Sequence, residues 1–204
     1  MKKALTPSFE NFYDKIKEIL ESARNRSYMA VNFEMVQAYW NIGRSIVEEE
    51  QAGRERAEYG KYLLSNLSIR LTAEYGKGFD YRNLAYMRQF YQTFPNMNAL
   101  RSELSWTHYR ILIRVDREQA REFYLQECVE GNWSTRQLER QINSLYFERI
   151  LMSSKKGRPL VKKEADGKKE VMQPGHIIKD PYVLEFLNLN PYDTPLFSPT
   201  GIGY

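Results

Sequence analysis

Apolar residues recur every three or four positions through most of the chain, the spacing of one helix face, and nowhere alternate convincingly as strands do. Thr6-Pro7 suits an N-cap and first helical position. After it, Phe9, Phe12, Ile16, Ile19, Leu20 and Ala23 share a face. A second helix is predicted over 31–51, with Val36, Trp40, Gly43 and Val47 on one stripe and Gly53 beyond its end. The third, 61–74, gathers Leu64, Leu67 and Leu71 and stops at Tyr75-Gly76-Lys77-Gly78. Asp80 then reads as the N-cap of a fourth helix carrying Leu84, Met87 and Tyr91, which Pro95 ends.

Ser105 opens a short helix that turns Trp106, Tyr109 and Ile113 inward. Asp116 is expected to cap the next, 117–130, with Ala120, Phe123 and Tyr124 inward and Gly131 as its stop. Ser134 and Gln137 have the spacing of a capping box ahead of Leu138, Ile142 and Leu145. The fold class is therefore all-α: a multi-helix domain with helix-turn-helix or winged-helix-like arrangements over residues 1–152. Residues 153–175 are charged, punctuated by glycine and proline, and without a sustained apolar stripe, so a flexible basic linker is expected there. Residues 176–204 should hold one short helix, opened by Asp180-Pro181, and an irregular tail.

Charge sharpens the functional side. The net charge is +4, but residues 61–121 carry 10 basic and 5 acidic side chains, and residues 153–175 carry 7 and 3. Two positive regions in a neutral body suit a nucleic-acid footprint, and equally suit arginines on solvated helix faces. The one cysteine, Cys128, allows no internal disulfide, and no long apolar run marks a signal peptide or membrane span. A cytoplasmic protein with no membrane partner is the expectation.

The best functional geometry is the helix–glycine turn–helix of residues 63–91. Its second helix is expected to expose Arg82, Asn83 and Arg88, residues that can read base edges from a major groove, with Lys77 holding phosphate. Two helices joined by a glycine turn also pack together without reading anything. In the arm, Lys155, Lys156, Arg158, Lys162 and Lys163 could neutralise phosphates without regard to sequence, or merely keep a tether soluble. A second helix–turn–helix, around Gly131-Asn132-Trp133-Ser134, is acidic and reads more easily as a packing or dimer element. Tyr28, Tyr39, Trp40, Tyr86, Phe90, Tyr91, Trp106 and Tyr109 recur at helical spacing and are expected in the core.

No catalytic residues are assigned. His108 and His176 are far apart and neither has a metal-ligand spacing to Cys128. There is no phosphate loop or dinucleotide fingerprint, and no small-molecule substrate suggests itself. Asp166-Gly167-Lys168 is the nearest approach to a carboxylate-and-lysine nuclease site, without strands around it.

The strings AYWNIGRSIVEEEQAGRERAEYGK, LSIRLTAEYGKGFDYRNLAYMRQFY, LSWTHYRILIRV, AREFY and NWSTRQLERQI, in that order, resemble the N-terminal domain of the YhcG-like bacterial proteins. The resemblance covers about residues 10–152, and DPYVLEFL at 180–187 is similar to the junction that follows. It implies a helical, winged-helix-like domain that precedes a PD-(D/E)xK nuclease domain, in proteins associated with bacterial defence and restriction-type DNA processing. The nuclease motif has no counterpart here, so the resemblance transfers no catalytic residues, and a divalent metal would be expected only for a nuclease domain outside this chain. Two functions stand side by side: a DNA-binding accessory domain, or a helical dimerisation or partner-docking module that positions a nuclease.

Overall fold

The computed structural model describes residues 7–52, 59–167, 170, 172 and 181–187. Among these lie α1 (Pro7–Ala52), α2 (Tyr59–Tyr75), α3 (Tyr81–Thr93), α4 (Trp106–Leu112), α5 (Glu118–Gly131), α6 (Thr135–Asn143), α7 (Tyr146–Met152), α8 (Arg158–Asp166) and α9 (Pro181–Phe186). No strand occurs among the described residues, as the periodicity predicts. None of their helices is long and apolar enough to cross a membrane.

The two helices expected before Gly53 are one, 46 residues long. Neither glycine nor proline occurs between Pro7 and Gly43, so nothing interrupts the backbone ladder where the apolar stripe fades. The C-terminal half of α1 is the spine of the domain. Met35, Val36, Tyr39, Trp40 and Ile46 are buried there in one core with Leu84, Met87 and Phe90 of α3, the helix packed along it. The two helices meet at Gly43, where a Cβ would overlap the Met87 carbonyl and lie 3.3 Å from the Arg88 amide nitrogen. Trp40 Nε1 donates to the Phe94 carbonyl at 2.7 Å and fixes the other end of the crossing.

Around this spine Tyr39, Trp40, Phe90, Trp106 and Tyr109 form the core that their spacing predicts, while Tyr28, Tyr86 and Tyr91, expected there too, are only partly buried at its edge. Trp106 of α4 stands edge-on to Tyr39 at 5.1 Å and to Phe90 at 5.4 Å between ring centroids. Such edge-to-face contacts add directional energy to the burial itself. A second group, Phe123, Tyr124, Tyr146 and Phe147, closes α5 on α7.

The caps explain most helix starts. Asp80 accepts from Asn83 N at 2.7 Å and Ser134 from Gln137 N at 3.2 Å. Asp116 is not a cap: Arg117 holds that position, with no side-chain hydrogen bond. The Gln137 side chain does not complete a capping box; its Nε2 donates to the Ala165 carbonyl at 3.3 Å. Leu145 was expected inward, but α6 ends at Asn143 and Leu145 turns outward at φ 54° and 59% exposure. Tyr146 and Phe147 take its place in the core.

The largest correction concerns the arm. Arg158-Pro159 starts α8, proline being well suited to a first turn. Gln137 and Gln141 both donate to the Ala165 carbonyl, Ala165 is buried, and α8 packs on α7. Beyond it, Ser134 N donates to Glu170 O and Met172 N to Asn132 O, each at 2.9 Å, an antiparallel pairing that buries Met172. Much of 153–175 is therefore folded onto the domain. Lys168, Lys169, His176 and the tail from 188 lie outside the described residues.

Gly43→Ala is expected to cost about 2 kcal/mol or more, because overlap with a backbone carbonyl outweighs the ~1 kcal/mol that alanine gains in a free helix. Urea unfolding measures it. A stabilised variant would show that the helices do not touch there.

Candidate nucleic-acid interface

The turn after α2 sets the stage. Gly76 sits at φ 96°, a conformation natural to glycine, and lets the chain reverse into the short turn Lys77–Phe79. Asp80 then caps α3, which presents Arg82, Ala85, Tyr86 and Gln89 along the side away from its buried face.

Asn83 and Arg88 are not on that open side. Asn83 is buried: its Nδ2 donates to the Gly78 carbonyl and its Oδ1 accepts from Trp106 Nε1 at 3.1 Å. It ties the glycine turn to the core and cannot read a base. Arg88 Nη1 lies 2.8 Å from Glu50 Oε1, joining α3 to α1 with both side chains partly shielded. Its charge is already matched. Lys77 is exposed, yet Glu185 of α9 faces it, with Asp80 close by. Desolvation first, then Asp80, raises the Glu185 carboxyl above the usual carboxylate range, and Lys77 opposes that.

Arg82 is the sequence candidate that the fold leaves available. It is exposed, hydrogen-bonds Tyr86, and holds its guanidinium carbon 5.8 Å from the Tyr86 ring centroid. Arg110 of α4 lies over the same ring at 4.7 Å and over Tyr182 of α9 at 5.0 Å, donating to the Tyr182 hydroxyl. Neither arginine is in an ion pair with a carboxylate among the described residues. The hydrogen bond from Arg82 is the main reason the Tyr86 phenol falls below its ordinary value, against the opposing effect of burial. Three helices thus converge on one cationic, aromatic cluster. Arg110, Tyr86 and Tyr182 were not singled out from the sequence for such a role, since their partners are far away along the chain.

The other arginines of this region are dispersed. Arg117 lies over Phe147 at 5.1 Å, and Arg121 lies over Phe94 at 5.8 Å while donating to the Val115 carbonyl. Around α8, Lys155, Lys156, Arg158 and Lys163 are exposed, but Lys162 pairs with Glu127 at 3.4 Å.

The titratable residues that could suggest catalysis are structural. His108 is buried; its Nδ1 accepts from the Ser105 amide at 3.2 Å, so its Nε2–H donates to the Trp133 carbonyl at 3.0 Å. Burial pushes its pKa down to about 4, against a smaller upward pull from that carbonyl. Cys128 is buried and its thiol is pushed well up by desolvation. Among the described residues, no three His, Cys, Asp or Glu side chains gather as metal ligands would.

Comparison with known proteins agrees with the resemblance in the sequence. Residues 15–149 match the family described as "DUF1016 N-terminal domain". The chain is 34% identical over 216 aligned positions to "Putative nuclease YhcG" of Escherichia coli (strain K12), covering 90% of this chain and 57% of that protein. It thus spans little more than half the length of this curated relative. No solved structure matches.

Asn83→Ala should cost about 2–3 kcal/mol, because the Gly78 carbonyl and the Trp106 indole lose a buried partner. A variant of unchanged stability would contradict the structural role. For His108, the neutral form is the native one, so the unfolded chain takes up the proton first. Its contribution is present above pH 6.5 and is lost as pH falls through about 4, a difference of about 3 kcal/mol. The stability of the wild type should fall more steeply with decreasing pH over that window than that of His108→Gln; parallel curves would show that the imidazole titrates normally.

Proposed function

Because the chain belongs to the DUF1016 N-terminal domain family, we propose that it is the DNA-contacting, targeting part of a nuclease-associated protein. The observation that carries this is the pair of guanidinium groups, Arg82 and Arg110, brought from separate helices onto Tyr86 with no ion pair to a carboxylate among the described residues. Guanidinium groups held over an aromatic face lose little further freedom on meeting a phosphate or a guanine edge. The name of the Escherichia coli relative supports a nucleic-acid partner. Strand cleavage, on this proposal, belongs to the part of the relative that this chain does not span.

The order helix, glycine turn, helix in α2, Lys77–Phe79 and α3 supports a helix-turn-helix reading on this proposal. The inner side of α3 is occupied by α1, so its approach to a groove would use the open edge of Arg82, Tyr86 and Gln89. The pairing of Asn132 and Ser134 with Met172 and Glu170 is the feature closest to a wing. Lys155, Lys156, Arg158 and Lys163 would add affinity that is indifferent to sequence.

A salt series of duplex-DNA titrations tests the proposal. Arg82→Ala with Arg110→Ala should lower the slope of log Kd against log salt by about 2, one for each lost phosphate contact. Arg88→Ala, which breaks only the pair with Glu50, should leave the slope alone. A folded double variant with the wild-type slope removes the interface, and a wild-type slope near zero points to a protein partner instead.

A further inference from the structure

Independently of any DNA contact, α1 carries a second surface. From Phe9 to Ser27 every residue is exposed except the half-buried Ala23. Packing against the core begins at Tyr28. Yet this free stretch is not polar. Phe9, Phe12, Tyr13, Ile16, Ile19 and Leu20 are each 41–60% exposed. A single helix of this length gains little from its own hydrogen bonds in water, and an uncovered apolar stripe marks an interaction site.

The spacing says what kind of partner fits. Phe9, Phe12, Ile16, Ile19 and Ala23 follow one another at intervals of three and four, the a and d positions of a heptad seam that packs against another helix. Tyr13 and Leu20 border the seam on one side.

We propose that this stretch of α1 pairs antiparallel with the same stretch of a second copy. The seam is complementary to its own reverse. With the two-fold axis between Lys17 and Glu18, Ile16 meets the second copy's Ile19 and Phe12 meets the second copy's Ala23, large against small. Arg26 then lies across from the second copy's Phe9, a cation over a ring. The parallel register instead sets Arg26 against Arg26 and stacks Phe12 on Phe12.

An antiparallel pair on this axis uses the exposed stretch from Phe9 to Ser27 of each copy. It places the two folded bodies at opposite ends of a rod of about 30 Å, at 1.5 Å per residue, where they do not collide. This is a closed, isologous two-fold interface.

Sedimentation of the full chain over a concentration series tests the proposal. The wild type should reach twice the mass of one chain. Ile16→Glu with Ile19→Glu should halve that mass while keeping the wild-type thermal transition, since neither side chain touches the core. Register is read by thiol cross-linking, Cys128 being buried and the chain having no other cysteine. Phe12→Cys mixed with Ala23→Cys should cross-link, and Phe12→Cys alone should not. A monomer at every concentration, a dimer that survives the glutamates, or self-cross-linking of Phe12→Cys would each overturn the proposal.

Discussion

At Gly43 the backbones of α1 and α3 approach more closely than any side chain would allow. The rest of the domain is arranged around that approach. It brings Met87 and Leu84 against the spine, and it sets Glu50 beside Arg88. It also decides which side of α3 faces solvent. Once Asn83, Leu84, Met87 and Phe90 are turned inward, the helix geometry leaves Arg82, Tyr86 and Gln89 outside. Arg82 and Tyr86 are the part of the cationic cluster that α3 supplies once the core has been built, Arg110 and Tyr182 coming from α4 and α9.

The buried polar groups reinforce the same arrangement. Asn83 links the glycine turn to Trp106, and Asn32 Nδ2 donates to the Leu104 carbonyl at 2.9 Å. His108 bridges the start of α4 to the Trp133 carbonyl. Each bond joins segments distant in sequence through a buried group that would be costly to leave unpaired. These contacts make the packing specific, whereas the aromatic core supplies most of its driving force.

Local chemistry was legible in the sequence wherever the determinant was local. Asp80, Ser105 and Ser134 announce their helices, and the aromatic stripes announce the core. The continuity of α1 was hidden because its stripe shifts from one face to another without a breaker residue. The arm looked like a tether because lysines dominate it, although Pro159 at the first turn of α8 was a usable signal. The candidate site was only half readable. Arg82 was placed correctly on the exposed side, but the fates of Asn83 and Arg88 depend on Trp106 and Glu50, 23 and 38 residues away. No periodicity within one helix carries that information. The same distance hid Arg110 and Tyr182, 72 residues apart, as partners around Tyr86.

Membership of the DUF1016 N-terminal domain family and an all-helical body fix the setting in which these surfaces act. The cluster on α3 and α4 and the apolar arm of α1 are separate features, one built from charge and one from shape, so each can be altered without the other. The central claim, that α3 meets DNA by its open edge, is tested most directly by arginine side-chain NMR during addition of a short duplex. The Nε–H signals of Arg82 and Arg110 are expected to shift while that of Arg88 stays in place. Movement of Arg88 with Arg82 and Arg110 unchanged would contradict it.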